Sequence, residues 1–247
     1  ARWYDFREPG GYLGNVGLCK RAGEIMRNFF VLVSALMMLL LSGISHAGDI
    51  TATAPPAPDK SSKYLFYMHG GYPERRGGTG EYDYQGIIEK FASMGFHVIG
   101  EVRGQTMPPR YARQIARQVN QLLNAGVPAA NITVAGHSKG GLMTLMTSTF
   151  VGRDDIKYGV MAACAPRGSR FHRSYRRFMQ NLASGIRGRF LVAWDVSDDV
   201  AGNCDQALEM GSAKYRNKVF KTGEGHRLFY NPSDNWMKEL ATLANKP

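Results

Sequence analysis

Short apolar runs and helix-like amphipathic stretches alternate along the chain from Lys63 onward. The apolar runs have the length of β-strands and lie at 64–68, 96–99, 132–135, 158–164, 190–194 and 218–221. The stretches with helical spacing of apolar residues lie at 84–94, 111–124, 142–150 and 235–244. This alternation predicts a mostly parallel sheet of about six strands with helices on both faces. In such a sheet, the ligand site lies at the carboxyl ends of the strands.

The first 60 residues do not follow this pattern. Residues 29–41 are apolar except for Ser34, with Arg27 before them and Ser45-His46-Ala47 after them. A basic start, a short apolar run and small residues at the exit predict a secretory signal peptide over 26–47. The run is shorter than the ~20 residues needed to span a membrane, so we expect no stable insertion after cleavage. A retained membrane anchor is the alternative.

These features divide the chain into four segments. A signal peptide normally stands at the extreme N-terminus, so residues 1–25, which precede Met26, are interpreted as translated upstream of the true start. Residues 48–62 are rich in Pro, Ala and Ser and are predicted to form a linker. The folded domain is then 63–247, and the mature protein is expected in the periplasm or outside the cell.

The composition limits the classes of ligand. The chain has 31 Lys and Arg residues against 20 Asp and Glu residues, which gives a formal net charge of +11. This charge is compatible with acidic partners, but no nucleic-acid recognition motif accompanies it, so no nucleic-acid binding is predicted. The sequence contains no H-E-x-x-H, no paired C-x-x-C and no G-x-x-x-x-G-K-[ST], and we expect neither a metal nor a cofactor.

One short motif carries candidate chemistry. Residues 136–140 read GHSKG and match G-x-S-x-G. They directly follow the apolar run ITVA and open the helical stretch GLMTLMTSTF, which is the strand–turn–helix setting of a nucleophile elbow. The motif therefore predicts Ser138 as a nucleophile. A surface serine in a glycine-rich turn is the alternative.

The sequence NITVAGHSKGG resembles the nucleophile strand, elbow and helix start of secreted esterases and lipases of the α/β-hydrolase superfamily. His69-Gly70-Gly71 resembles the oxyanion-loop motif of these proteins, and the likeness extends from about Lys63 to the C-terminus. The resemblance implies an α/β-hydrolase catalytic domain over 63–247. No insertion of 40 or more residues is present to form a cap domain, so an open site is expected.

In this superfamily the nucleophile, the acid and the histidine follow one another along the chain. Only His172 and His226 come after Ser138, and His172 precedes the fifth predicted strand, which leaves His226 as the expected base. The acid is expected after the fifth strand, where Asp195, Asp198, Asp199 and Asp205 are available. Asp198-Asp199-Val200 resembles the Asp-x-Val turn of the superfamily, so Asp198 is preferred over Asp199 and Asp195.

Two backbone N–H groups are expected to bind the oxyanion. One belongs to Lys139, the residue after the nucleophile. The other is expected from the loop after the first predicted strand, at Gly71 or Tyr72. A glycine at that point allows the backbone to approach the acyl oxygen closely.

The two cysteines of the domain lie near the same edge of the predicted sheet. Cys164 ends the fourth predicted strand, and Cys204 lies in the loop after the fifth, six residues beyond Asp198. In an oxidising compartment they are expected to form a disulfide that holds the acid loop. The alternative is a buried Cys164 beside an unrelated Cys204.

Arginines are concentrated in three loops that are expected at the carboxyl edge of the sheet. They are Arg75, Arg76, Arg103, Arg110, Arg167, Arg170, Arg173, Arg176 and Arg177. One hypothesis is that this rim, and Arg75, Arg76 and Arg103 in particular, favours anionic substrates or an anionic surface. A solvated arginine-rich face is the alternative.

The resemblance implies a serine hydrolase that cleaves carboxylic esters, either small molecules or the ends of a polymer, through an acyl-serine intermediate. Thioester or peptide cleavage would use the same residues. A non-catalytic secreted binding protein on the same fold is the alternative from a different class. The sequence leaves the substrate and the oligomeric state open.

Overall fold

The computed structural model describes residues 47–165, 168–169 and 172–246. Residues 1–25, and the predicted signal peptide except for Ala47, lie outside this part of the chain, as do Arg167 and Arg170 of the basic rim. No helix among the described residues is both long and apolar enough to cross a membrane.

Seven parallel strands form one sheet in the order β1-β3-β2-β4-β5-β6-β7. The strands are β1 Ile50–Thr51, β2 Lys63–Met68, β3 Phe96–Ile99, β4 Ile132–His137, β5 Lys157–Met161, β6 Arg189–Asp195 and β7 Lys214–Phe220. The predicted parallel sheet with crossover helices is confirmed. The carboxyl ends of β2, β4, β5 and β6 are neighbours at one edge.

The helices connect successive strands or close the chain. They are α1 Pro73–Arg76, α2 Tyr84–Ser93, α3 Pro108–Asn124, α4 Lys139–Val151, α5 His172–Asn181, α6 Asp205–Glu209 and α7 Asp234–Asn245. The side chain of Asp83 caps α2 by accepting a hydrogen bond from Gly86 N, and Ser233 caps α7 in the same way through Asn235 N. The four predicted helices correspond to α2, α3, α4 and α7.

The core lies on both faces of the sheet. Alternate residues of β2 enter two separate clusters, with Phe66 and Met68 in one and Leu65 and Tyr67 in the other. A strand that is buried on both faces has no polar side to present. This explains why the central strands read as continuous apolar runs.

Three predicted boundaries are wrong. Residues 50–51, assigned to the linker, pair with β3 as a seventh strand; two residues are too few to show a hydrophobic period. The strand predicted at 158–164 ends at Met161, because Ala162 has a φ of 46° and turns the chain. The last strand spans 214–220 instead of 218–221, because an edge strand with a partly exposed polar face lacks a long apolar run.

A disulfide joins Cys164 to Cys204. The backbone supports the same connection, since Gly202 N donates a hydrogen bond of 2.9 Å to Cys164 O. The segment after β5 is thereby tied to the loop between β6 and α6. That loop carries Asp198, so the disulfide restrains a candidate site residue.

We expect the double substitution Cys164→Ala/Cys204→Ala to lower the free energy of unfolding. The bond closes a loop with a sequence separation of 40 residues. Loop-closure entropy for that length corresponds to about 4 kcal/mol. Urea unfolding measures the change, and the wild-type protein with and without a reductant controls for the lost side-chain volume. A loss below ~1 kcal/mol in both comparisons would show that the bond does not stabilise the fold.

Candidate active site

Ser138 lies at the sharp turn between β4 and α4. Its φ of 55° is in the left-handed region, which is uncommon for a residue other than glycine. The flanking glycines are required by close packing. A Cβ on Gly140 would lie 2.1 Å from the carbonyl oxygen of Met68, and one on Gly136 would lie 2.5 Å from the carbonyl carbon of Gly140. The motif therefore permits a turn that larger residues would block.

A hydrogen-bonded chain links Ser138, His226 and Asp198. Because a carboxylate only accepts, His226 Nδ1 donates to Asp198 Oδ2 at 2.8 Å. In the neutral imidazole, Nε2 then accepts from the Ser138 hydroxyl, also at 2.8 Å. The other carboxylate oxygen of Asp198 accepts from Val200 N at 2.8 Å and Ala201 N at 3.0 Å. The structure thus brings together the serine, histidine and aspartate preferred from the sequence.

The two alternative aspartates occupy different environments. Asp199 is exposed to solvent, whereas Asp195 is fully buried at the end of β6. Asp195 accepts hydrogen bonds from the backbone and hydroxyl groups of both Ser197 and Thr222. Burial raises the pKa of the Asp195 carboxyl, but these four bonds lower it more, and its pKa lies well below the ordinary value. Asp195 therefore holds loops together and does not contact His226.

Aromatic rings surround the imidazole of His226, which lies in the 3-10 helix Gly225–Phe229. The ring of His137 packs 4.6 Å from it, and Tyr230 packs at 6.4 Å. Burial, followed by the neighbouring His226, holds the pKa of His137 well below its ordinary value. His137 is therefore neutral and places no charge beside His226.

Gly71 and Lys139 both line a cavity of about 630 Å³ together with Ser138. Lys139 is the first residue of α4, so its N–H has no carbonyl partner within the helix. Tyr72 is at the N-cap position of α1 without a side-chain capping hydrogen bond, and its ring packs 5.8 Å from that of Tyr230. Of the two candidates for the second donor, Gly71 is the one that lines the cavity.

Glu74 is a site residue that the sequence did not reveal. Its carboxylate is 4% exposed and accepts from Arg103 Nε at 2.9 Å and from Lys139 Nζ at 2.6 Å. These partners are 29 and 65 residues away along the chain, so no local motif could have identified the contact. The carboxylate connects the loop after β2 to the loop after β3 and to the start of α4.

The proposed role of Arg103 in the exposed rim is wrong. Its side chain is 3% exposed, and it donates to the carbonyl oxygens of His69 and Gly70 as well as to Glu74. Arg103 N donates to His69 Nε2 at 3.0 Å, and burial followed by the Arg103 cation lowers the pKa of His69 to about 3. Arg103 and the neutral His69 therefore fix the backbone of the loop that contains Gly71.

The remaining described arginines of the rim are exposed, and they are Arg75, Arg76, Arg110, Arg173, Arg176 and Arg177. Among them, Arg75 lines the cavity. Within the described residues, no cluster of three or more His, Cys, Asp or Glu side chains could hold a metal ion.

No protein-family model and no curated protein matches the chain. Among solved structures, it is similar to a lipase-esterase related protein from Clostridium acetobutylicum, with 14% identity and a TM-score of 0.51 over 76% of this chain and 97% of that one. A yden-like hydrolase from Pectobacterium atrosepticum has 15% identity and a TM-score of 0.50 over 74% and 91%. The described domain therefore has the α/β-hydrolase fold.

The chain is also similar to part of dipeptidyl peptidase 4 from Porphyromonas gingivalis, with 18% identity and a TM-score of 0.48. The match covers 75% of this chain but spans only 31% of that protein.

We expect Asp195→Asn to lower the free energy of unfolding by about 3 kcal/mol at pH 7, because an amide cannot replace all four hydrogen bonds to the carboxylate. The folded pKa is below the unfolded one, so this stabilisation is present above pH ~4 and is lost as the pH falls further. Urea unfolding from pH 7 to pH 3 should show the two proteins converging.

The matched control is Asp199→Asn, which removes an exposed carboxylate four residues away and should change the stability by less than ~0.5 kcal/mol. Equal effects of the two substitutions at pH 7 would contradict the structural role of Asp195.

Proposed function

We propose that the protein is a serine hydrolase that cleaves carboxylic esters through an acyl-serine intermediate. The observation that carries the proposal is the hydrogen-bonded chain from Ser138 through His226 to Asp198. Ser138, the first member of this hydrogen-bonded chain, lies at a strained turn and lines a cavity of about 630 Å³. Ser138 is the nucleophile, His226 the general base and Asp198 the acid that orients it.

In the first step, His226 Nε2 takes the proton of Ser138 while Oγ forms a bond to the ester carbonyl carbon. Asp198 stabilises the imidazolium that results and keeps Nδ1 protonated throughout. Two N–H donors from the protein backbone, Val200 and Ala201, hold the carboxylate in place. The aspartate therefore orients the ring without moving a proton.

The carbonyl oxygen becomes negative in the tetrahedral intermediate. The N–H groups of Lys139 and Gly71 are the proposed donors to it, and the N-terminus of α4 adds a favourable dipole. Glu74 follows Gly71 in the loop after β2, and its carboxylate pairs with Lys139 and with Arg103. Because these ion pairs hold the two donor segments together, the donors are in place before the substrate arrives. A preorganised arrangement of this kind needs no rearrangement when the charge develops.

In the second step, the carbon–oxygen bond to the alcohol breaks and His226 returns the proton to the leaving oxygen. Water then enters, gives a proton to His226 and attacks the acyl carbon. The bond from that carbon to Ser138 Oγ breaks, His226 returns the proton to Oγ, and the acid is released. The fold shared with the lipase-esterase related protein supports esters as the substrate class, as an analogy of fold. We also propose that no cap domain covers the site, so that it is open to substrate.

Export from the cytoplasm also belongs to the proposal. The signal-like segment 26–47 supports it, and so does the disulfide between Cys164 and Cys204, because such bonds persist in oxidising compartments.

Ser138→Ala should abolish the turnover of 4-nitrophenyl acetate, because the variant has no nucleophile to form the acyl intermediate. A fluorophosphonate probe should label the wild-type protein at Ser138 and leave the variant unlabelled. Circular dichroism controls for folding. Unchanged turnover in the folded variant would exclude Ser138 as the nucleophile, and unlabelled wild-type protein would favour a binding protein on this fold.

Asp198→Asn should lower kcat by about 10⁴-fold, because an amide favours the wrong tautomer of His226. The matched control is Asp199→Asn, which changes the adjacent exposed residue and should leave kcat unaltered. Steady-state rates with 4-nitrophenyl acetate measure both variants. Similar losses in the two variants would remove Asp198 from its proposed role.

A further inference from the structure

The cavity beside Ser138 has two chemically different sides. The order of the strands places the loops after β3 and β2 on one side of Ser138 and the segments after β5 and β6 on the other. Among the described residues, the charged side chains of the cavity wall come from the loop after β2 and the start of α4, and they are Glu74, Arg75 and Lys139. Within the described part of the chain, the segments after β5 and β6 contribute only uncharged residues to the wall, and they are Ala162, Ala163, Ala165, Ser174, Tyr175, Val200 and Ala201.

The charges on the first side do not balance. Glu74 is the partner of two cations, Arg103 and Lys139. Among the described residues, no carboxylate lies within ion-pair distance of Arg75. In the part of the chain that the structure describes, three cations therefore accompany one carboxylate. The unbalanced positive charge is on the exposed guanidinium of Arg75, which lines the cavity wall.

Arg75 is also close to the proposed oxyanion donors. Its Nη1 atom lies 3.5 Å from the point that a Cβ on Gly71 would occupy. That position puts the guanidinium next to the loop that carries Gly71, one of the two proposed oxyanion donors. A planar guanidinium matches a carboxylate with two parallel hydrogen bonds.

We infer that the substrates are esters that carry a carboxylate, and that Arg75 binds this carboxylate. The inference rests on the proposed function. Of the three arginines singled out from the sequence, it assigns the anionic preference to Arg75, since Arg103 is buried and Arg76 does not line the cavity.

Two pairs of esters distinguish whether the carboxylate belongs to the acyl or to the alcohol part. Mono-(4-nitrophenyl) succinate against 4-nitrophenyl butyrate varies the charge at the end of a four-carbon acyl chain. The pair 3-acetoxybenzoate and 3-acetoxybenzamide varies it in the alcohol part with the same acetyl group. The rate with Ser138→Ala is subtracted in every case, which removes uncatalysed hydrolysis.

We expect Arg75→Gln to lower the ratio of kcat/KM for the anionic ester to that for the neutral ester by about 10- to 100-fold in one pair, the factor typical of a charge-assisted hydrogen bond. The loss should appear mainly as a higher KM for the anionic ester. Arg75→Lys, which keeps the charge but not the planar fork, should retain part of the preference. Arg76→Gln removes the same charge from the next residue and should leave both ratios within about twofold, as for exposed charges screened by salt.

A loss below about fivefold in both pairs, or an equal loss in Arg76→Gln, would overturn the inference, because neither fits a direct hydrogen bond from Arg75. In that outcome, Ser138-dependent hydrolysis of the neutral esters would leave the proposed function intact. Turnover that persists in Ser138→Ala would instead overturn the proposed function itself.

Discussion

The contact between Gly140 and the carbonyl oxygen of Met68 constrains the whole site. It joins the first turn of α4 to the last residue of β2 at a distance that admits no side chain. The turn that carries Ser138 and the loop that begins after β2 are therefore held against each other by backbone packing. The left-handed φ of Ser138 costs on the order of 1–3 kcal/mol, which the parallel pairing of β4 with β2 and β5 offsets. The same packing constraint therefore fixes the position of Ser138 and the position of the loop that contains Gly71.

The buried charges at this edge extend the constraint to side chains. Removing an ion pair from water costs several kcal/mol per ion, so a carboxylate shared by two cations is weak evidence for added stability. Its value here is geometric, because Glu74, Arg103 and Lys139 come from three different segments. Arg103 in addition donates to two carbonyl groups of the loop that contains Gly71. Loss of Glu74 would leave two buried or half-buried cations unpaired beside the serine.

The sequence predicted the parts of the site that depend on local geometry. The elbow could be identified because its glycines, strand and helix are contiguous in the sequence. His226 was predicted from the order of residues along the chain. The order of residues did not separate Asp198 from Asp195, and only the resemblance to the Asp-x-Val turn favoured Asp198. The choice between them depends on which carboxylate reaches His226 and which is occupied by Ser197 and Thr222. Glu74 could not be predicted either, because its role also depends on contacts between residues that are distant along the chain. Strand β1 was missed because two residues are too few to show a hydrophobic period.

The locations of the arginines are the point at which the structure changes the sequence-based prediction of substrate recognition most. Arg75 and Arg103 belong to neighbouring loops and carry the same charge, yet one lines the cavity and the other is paired within the wall. A net positive charge beside the donors would also stabilise the oxyanion of any ester, neutral or anionic. The absolute rate of a neutral ester therefore responds to Arg75 through the transition state, whereas discrimination between matched esters responds to the substrate's own carboxylate. Selectivity is the quantity that separates recognition of an anion from general electrostatic assistance.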